Sequence, residues 1–159
     1  MGRPPLTGPA DGFRVAAHAG FPGVRIWAPD GSRAEAFQDY LDFWAALGWS
    51  PSRLRTEARR LAAAATWCQD LDRPWATMTL TDWGHYLVVA GAADAPRDLP
   101  RVRPVLETLF RFTAFWHWQD PRAWPTQPFP WRALARTRWL LHWLTTGRVW
   151  EDLPDPLPF

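Results

Sequence analysis

The chain has 159 residues, 47% of them hydrophobic and 13 of them Trp, which excludes a disordered segment and gives one domain, with or without appended segments, enough apolar surface for a core. Its formal charge of +2 is too small to define a polyanion partner, yet all 18 basic residues are Arg. A GC-rich genome alone can produce that bias, but the physical result is a set of planar cations suited to phosphate, guanine edges and aromatic faces.

Residues 1–32 are rich in Pro and Gly and read as an N-terminal arm. Within it Phe13-Arg-Val-Ala-Ala-His and Val24-Arg-Ile-Trp-Ala can pair as a short hairpin across Gly20-Phe-Pro-Gly23. Residues 33–121 read as a helical bundle. Ser32 is the expected cap of a first helix that runs to about Leu47, with Phe37, Leu41, Trp44 and Leu47 at helical spacing and Gly48 as its stop. A second helix starts with Ser50 as N-cap and Pro51 at its first position, and runs to about Gln69. The third opens at Thr81 or Asp82 and holds Trp83, Tyr86, Leu87 and Ala90 before Gly91. The fourth covers about Arg101 to Trp118, with its regular part from Pro104 and its stop at Asp120-Pro121. Residues 122–159 form a Pro-rich connector, a fifth helix from Trp131 to about Thr146, and an acidic tail. The expected fold class is therefore all-α.

Chemistry enters through the helix faces. With Leu54 at the centre of its buried stripe, the second helix also buries Ala58, Leu61, Ala65 and Cys68. Arg53, Arg55, Thr56, Arg59 and Arg60 then fall on the far side, and Ala62 to Ala65 make the helix slim. Together with Ser50 and Ser52 at its N-terminus, that face can approach a phosphate backbone with both amides and guanidinium groups. The plainer alternative is a solvated Arg face beside Glu57. The fourth helix repeats the pattern: Val102, Val105, Leu106, Leu109 and Trp116 share one face, and Arg101, Arg103, Arg111 and Glu107 look outward. Phe110, Phe112 and Phe115 widen its apolar side. In the fifth helix Leu134, Leu140, Leu141 and Leu144 oppose Arg132, Arg136, Arg138, Trp139, His142 and Trp143. Arg interleaved with Trp suits backbone contact plus base stacking, an anionic membrane surface, or a helix packed between protein layers.

Other site chemistry is weak. His18, His85, His117 and His142 lack metal-ligand spacing, Asp70 and Asp72 read as loop residues and Asp82 as a cap, and no Gly-rich phosphate loop occurs. No cofactor or metal is expected. Cys68, the one cysteine, reads as a small buried hydrophobe and implies a reducing compartment. Met1-Gly-Arg-Pro-Pro lacks the apolar run of a signal peptide, and no apolar run approaches membrane-spanning length.

Three phrases occur in a telling order: Ser50-Pro-Ser-Arg-Leu-Arg-Thr, Leu80-Thr-Asp-Trp-Gly-His-Tyr-Leu, and Leu106-Glu-Thr-Leu-Phe-Arg-Phe-Thr-Ala-Phe before Asp120-Pro121. Over residues 35 to about 121 they resemble the N-terminal core-binding domain of tyrosine recombinases and phage integrases, a SAM-like four-helix bundle. Ser50, Pro51 and Leu54 match the family's second-helix start, where Arg53 replaces a Thr and Glu57 a Tyr. Leu80, Thr81, Asp82, Tyr86 and Leu87 match its third-helix entry. Leu106, Leu109, Arg111, Phe112 and Phe115 approximate its fourth-helix stretch, with Phe110 as an extra residue. Asp120-Pro121 stands where Asn-Pro usually closes the domain. The resemblance implies DNA contact by the second and fourth helices. It does not carry over catalysis, because the chain has no Lys and no His-x-x-Arg, and Tyr40 and Tyr86 fall inside bundle helices.

The combined expectation is a four-helix SAM-like bundle with an extra C-terminal helix, acting as a non-catalytic DNA-binding protein: an accessory factor, a regulator, or a nucleoid- or repair-linked binder. Duplex DNA is favoured over single strands, no membrane is involved, and the place is the cytoplasm, associated with the nucleoid. The alternative is a protein–protein interaction module that binds itself or a recombinase through exposed Trp.

Overall fold

The computed structural model describes residues 11–78, 80–89 and 99–124. Their elements are a two-stranded hairpin, β1 (Arg14–Ala17) and β2 (Val24–Trp27), and four helices: α1 (Glu35–Ala46), α2 (Pro51–Asp70), α3 (Leu80–Val89) and α4 (Leu99–Gln119). The architecture is thus mostly helical with one small sheet, and a single 3₁₀ turn at Trp75–Thr77 precedes α3. The chain divides into two compact units, Met1–Arg73 and Pro74–Phe159. The expected fifth helix lies outside the described residues.

In the first unit the hairpin forms where expected, with Arg14 opposite Trp27 and Ala17 opposite Val24. Its tip closes by hydrogen bonds from His18 N to Gly23 O and from Gly23 N to Gly20 O, with Gly23 at a φ of 92°. Only a glycine takes that conformation without strain. The segment read as an arm is folded into the core from Gly12 onward. Val24 and Ile26 are fully buried, and Val15 and Ala16 nearly so. Both strands pack on α2, and α1 packs on α2 and β2. The Phe13 amide donates to Thr66 Oγ1 on α2 at 3.0 Å, and a Cβ on Gly12 would meet Thr66 at 2.7 Å. Glycine at position 12 is therefore what lets the chain lie against the helix.

A buried amide joins the hairpin to α1. Gln38 Oε1 accepts from Ile26 N at 3.2 Å, while Gln38 Nε2 donates to Val24 O at 3.1 Å and to Asp42 Oδ1 at 3.0 Å. Ala34 N donates to Ile26 O at 2.9 Å. The outer edge of β2 is thereby paired by a side chain and a helix start rather than by a third strand, which removes the exposed edge.

The α1 start differs from the sequence expectation. Ser32 is not the cap; its hydroxyl and amide both donate to Asp30 Oδ1, closing the turn before Arg33 bridges to Trp27. The Ser32 hydroxyl first, and then its amide, hold the Asp30 carboxyl below its ordinary range. The N-cap is Ala34, without a side-chain cap. Leu47, expected in the buried stripe, is 62% exposed, and Phe37 and Trp44 are half-buried; the deeply buried residues are Gln38, Tyr40 and Leu41. The face rotated because the helix packs on a sheet edge as well as on α2.

The α1–α2 junction is fixed by local chemistry. Gly48, at a φ of 100°, donates to Ala45 O, and Trp49 N donates to Trp44 O at 3.1 Å. This is the two-bond stop in which the residue after the glycine folds back onto the last turn. Ser50 Oγ then accepts from Arg53 N at 3.2 Å, with Pro51 at the first helical position, as expected. Ser50→Ala is expected to cost about 1 kcal/mol, read as a lower denaturation midpoint.

On α2 the expected stripe of Leu54, Ala58, Leu61, Ala65 and Cys68 is buried. Ala62 and Ala64 are buried too, and of Ala62 to Ala65 only Ala63 is exposed. The small side chains therefore let the hairpin and α1 approach the helix; they do not slim its outer face. Asp72, at a φ of 54°, takes the left-handed position after α2, where Arg73 N bonds to Cys68 O.

The second unit is built on aromatics. Trp75 lies 4.7 Å from both Trp83 and Phe112, and its Nε1 donates to Thr113 Oγ1 at 3.0 Å. Trp83, Tyr86 and Leu87 on α3 are buried, and so, as expected, are Leu106, Leu109, Phe110 and Phe112 on α4. Val105 and Trp116 are only half-buried. α4 begins at Leu99, with Pro104 inside it rather than at its start. Asp120 does end it: Asp120 O accepts from Trp124 N at 3.0 Å, and Trp124 stacks on Trp116 at 6.2 Å.

Candidate nucleic-acid interface

The outer face of α2 gathers the expected contact residues of the first unit. Ser50, Ser52, Arg53, Thr56 and Arg59 are exposed, and Arg55 and Arg60 are half-buried at its two margins. The hydroxyls are not equivalent. Thr56 Oγ1 donates its one proton to Ser52 O at 3.1 Å, so it faces a phosphate as an acceptor unless that bond opens. Ser50 Oγ is an acceptor in the cap and keeps its proton for donation.

The cations also differ. Arg60 Nη1 lies 4.0 Å from Glu57 Oε2. Glu57, which the plainer alternative set beside a solvated Arg face, is 2% exposed and accepts from Tyr40 Oη at 2.8 Å. The buried carboxylate of α2 thus meets a phenol supplied by α1. Among the described residues no carboxylate lies within ion-pair distance of Arg53, Arg55 or Arg59. Burying Glu57 and leaving the first turn of α2 without an acid is what keeps this face cationic.

Acidic side chains gather on α1 instead. Arg33 pairs with Glu35 at 3.6 Å and with Asp42 at 3.5 Å. The Asp39 carboxyl is pushed above its ordinary range, first by desolvation and then by Glu35 and Asp42, against the opposing charge of Arg33. A raised folded-state pKa means that the ionised form opposes folding at neutral pH, and that this penalty fades as pH falls below the unfolded value. Asp39→Asn is therefore expected to raise the denaturation midpoint at pH 7, with the gain lost by about pH 3; urea titrations at both pH values check it.

At the N-terminal end of the α2 face stands an aromatic stack that the sequence reading did not single out. Trp44 and Trp49 stack at 4.5 Å with planes 23° apart, and the Arg53 guanidinium lies 3.7 Å above the Trp49 ring. Phe43 meets Trp44 edge-on at 5.2 Å and is 41% exposed. Trp44 Nε1 is buried with no acceptor among the described residues, so stacking rather than hydrogen bonding holds the ring. The readable signal was Gly48-Trp49-Ser50-Pro51: a helix stop followed at once by a cap leaves Trp49 nowhere to go but back onto Trp44.

In the second unit Arg101 and Arg103 fall in the opening part of α4, and Arg111, further along, is half-buried. Arg132, Arg136, Arg138 and Trp139 lie outside the described residues. Tyr40 and Tyr86 are both buried within helices. No helix among the described residues is long and apolar enough to cross a membrane. No family model, curated protein or solved structure matches this chain.

Proposed function

We propose that this chain is a non-catalytic DNA-binding protein, related in plan to an isolated recombinase core-binding domain, that holds duplex DNA through the α2 face. The observation that carries the reading is the set Arg53, Arg55 and Arg59, which have no carboxylate at ion-pair distance among the described residues and are bordered by the Ser50 and Ser52 hydroxyls. Guanidinium groups left without acids on a rigid helix suit phosphate oxygens, and the helix start adds amide dipoles of the right sign. Arg101, Arg103 and Arg111 on α4, and Arg132, Arg136, Arg138 and Trp139 downstream, are the further contacts of the same proposal. Affinity of this origin is mainly electrostatic and falls steeply with salt. An anisotropy titration of labelled duplex and single-stranded oligonucleotides at two salt concentrations tests it. Tight duplex binding at low salt that weakens sharply at high salt is the expected result. Failure of both oligonucleotides to bind at low salt ends the proposal.

A second reading, a protein–protein module, is favoured by one observation: Phe43, Leu47 and, in the second unit, Trp118 are exposed at 41, 62 and 79%. It predicts a stable oligomer by sedimentation, insensitive to loss of Arg59 and disrupted by polar substitutions at the exposed apolar residues.

A further inference from the structure

In the Trp44–Trp49–Arg53 column a second indole and a planar cation both lie against the Trp49 ring. Both faces of the Trp49 ring are covered: Trp44 lies 4.5 Å away, nearly parallel, and the Arg53 guanidinium 3.7 Å away. A guanidinium is planar and spreads its charge, so at this distance it occupies the space that a stacked nucleobase takes. Arg53 is exposed, with no carboxylate at ion-pair distance among the described residues, whereas Trp44 is held by packing from α1 through Tyr40 and Phe43. One side of the column is thus held by packing, and on the other lies the exposed Arg53 side chain.

We infer that Trp49 is a stacking site for an unpaired base of DNA, which takes the position of the Arg53 guanidinium while Arg53 moves to the adjoining phosphate. The exchange keeps the Trp49 ring covered and gives the guanidinium a bidentate anionic partner in place of a π-face. Exposed Phe43 and Leu47 lie on the same helix end as Trp44 and offer further apolar surface beside the base. Charge decides the occupant. A neutral aromatic partner would leave Arg53, Arg59 and the Ser52 hydroxyl unengaged, whereas a nucleotide brings a ring and an anion together. The inference rests on the proposal that the α2 face contacts DNA, and it adds a preference for DNA with a short unpaired stretch.

The test compares a fully paired duplex with the same duplex carrying a three-nucleotide gap, using the full chain and its Trp49→Leu and Trp49→Phe variants. Leucine keeps the apolar contact with Trp44 that closes α1, and circular dichroism verifies the fold. The expected wild-type preference for the gapped duplex is about tenfold. Trp49→Leu removes that preference while changing paired-duplex affinity by less than about twofold, and Trp49→Phe retains part of it. A 2-aminopurine in the gap is quenched by the wild-type chain and not by Trp49→Leu. Equal wild-type affinity for the two duplexes, or a preference that survives Trp49→Leu, overturns the inference and leaves paired-duplex binding untouched. Binding to neither duplex removes the DNA reading as well. A change of oligomeric state in Trp49→Leu assigns the column to a contact between copies, and also overturns the inference.

Discussion

Gln38→Leu is expected to destabilise the first unit by about 2–4 kcal/mol, the largest effect of any single substitution proposed for this chain. The residue is fully buried and serves three partners on two elements: the Ile26 amide, the Val24 carbonyl and the Asp42 carboxylate. Leucine fits the volume, but it leaves a buried amide and a buried carbonyl of β2 without partners. Each such orphan costs about 1–3 kcal/mol, and the added apolar area offsets only part of that. Gln38→Glu separates this account from simple packing loss. The acid still accepts from Ile26, yet when ionised it faces the Val24 carbonyl and Asp42 with no proton to give. Its destabilisation should therefore shrink as pH falls and the carboxyl regains a donor. Denaturant unfolding of both variants at neutral and acidic pH checks this. Equal and pH-independent losses would mean that Gln38 matters by shape alone.

The second large effect concerns affinity. Removing Arg53, Arg55 and Arg59 together by alanine substitution is expected to weaken duplex binding by about a hundredfold at low salt, counting about 1 kcal/mol for each charged contact. The slope of log K against log salt should fall by about 2 to 3, close to 0.9 per phosphate contact. Arg53 and Arg59 are exposed and Arg55 is half-buried, so the fold should persist. Arg60→Ala should cost less than any of the three, because its guanidinium is shared with buried Glu57. A comparable loss from Arg60→Ala would shift the contact toward the Glu57 margin of the helix.

The sequence made the punctuation of the fold readable, and much of its periodicity. Gly48, Ser50 and Pro51 state where one helix stops and the next begins, because a left-handed glycine and an oxygen-bearing cap have few other uses in succession. The α2 stripe was legible because its buried arc is continuous, and the hairpin because two β-prone runs flank a Gly-Pro turn. What stayed hidden depends on contacts between distant positions. Gln38 and Glu57 look like solvated residues on a helical wheel, and only the edge of β2 and the phenol of Tyr40 give them reasons to be buried. Ser32 has the side chain of a cap, but Asp30, two residues earlier, takes its hydroxyl and amide in a way that spacing alone does not reveal. The cationic face of α2 was legible as a set of arginines. Its freedom from carboxylates was not, since that follows from the burial of the one acid among them.

The α2 face carries the whole functional account, and one titration tests it most directly: affinity for a fully paired duplex across a series of salt concentrations, for the wild-type chain and the triple alanine variant. The account predicts tight wild-type binding with a steep negative slope, and a variant that is weaker and distinctly less salt-dependent. Parallel lines of equal slope, or no wild-type binding at the lowest salt, would contradict it.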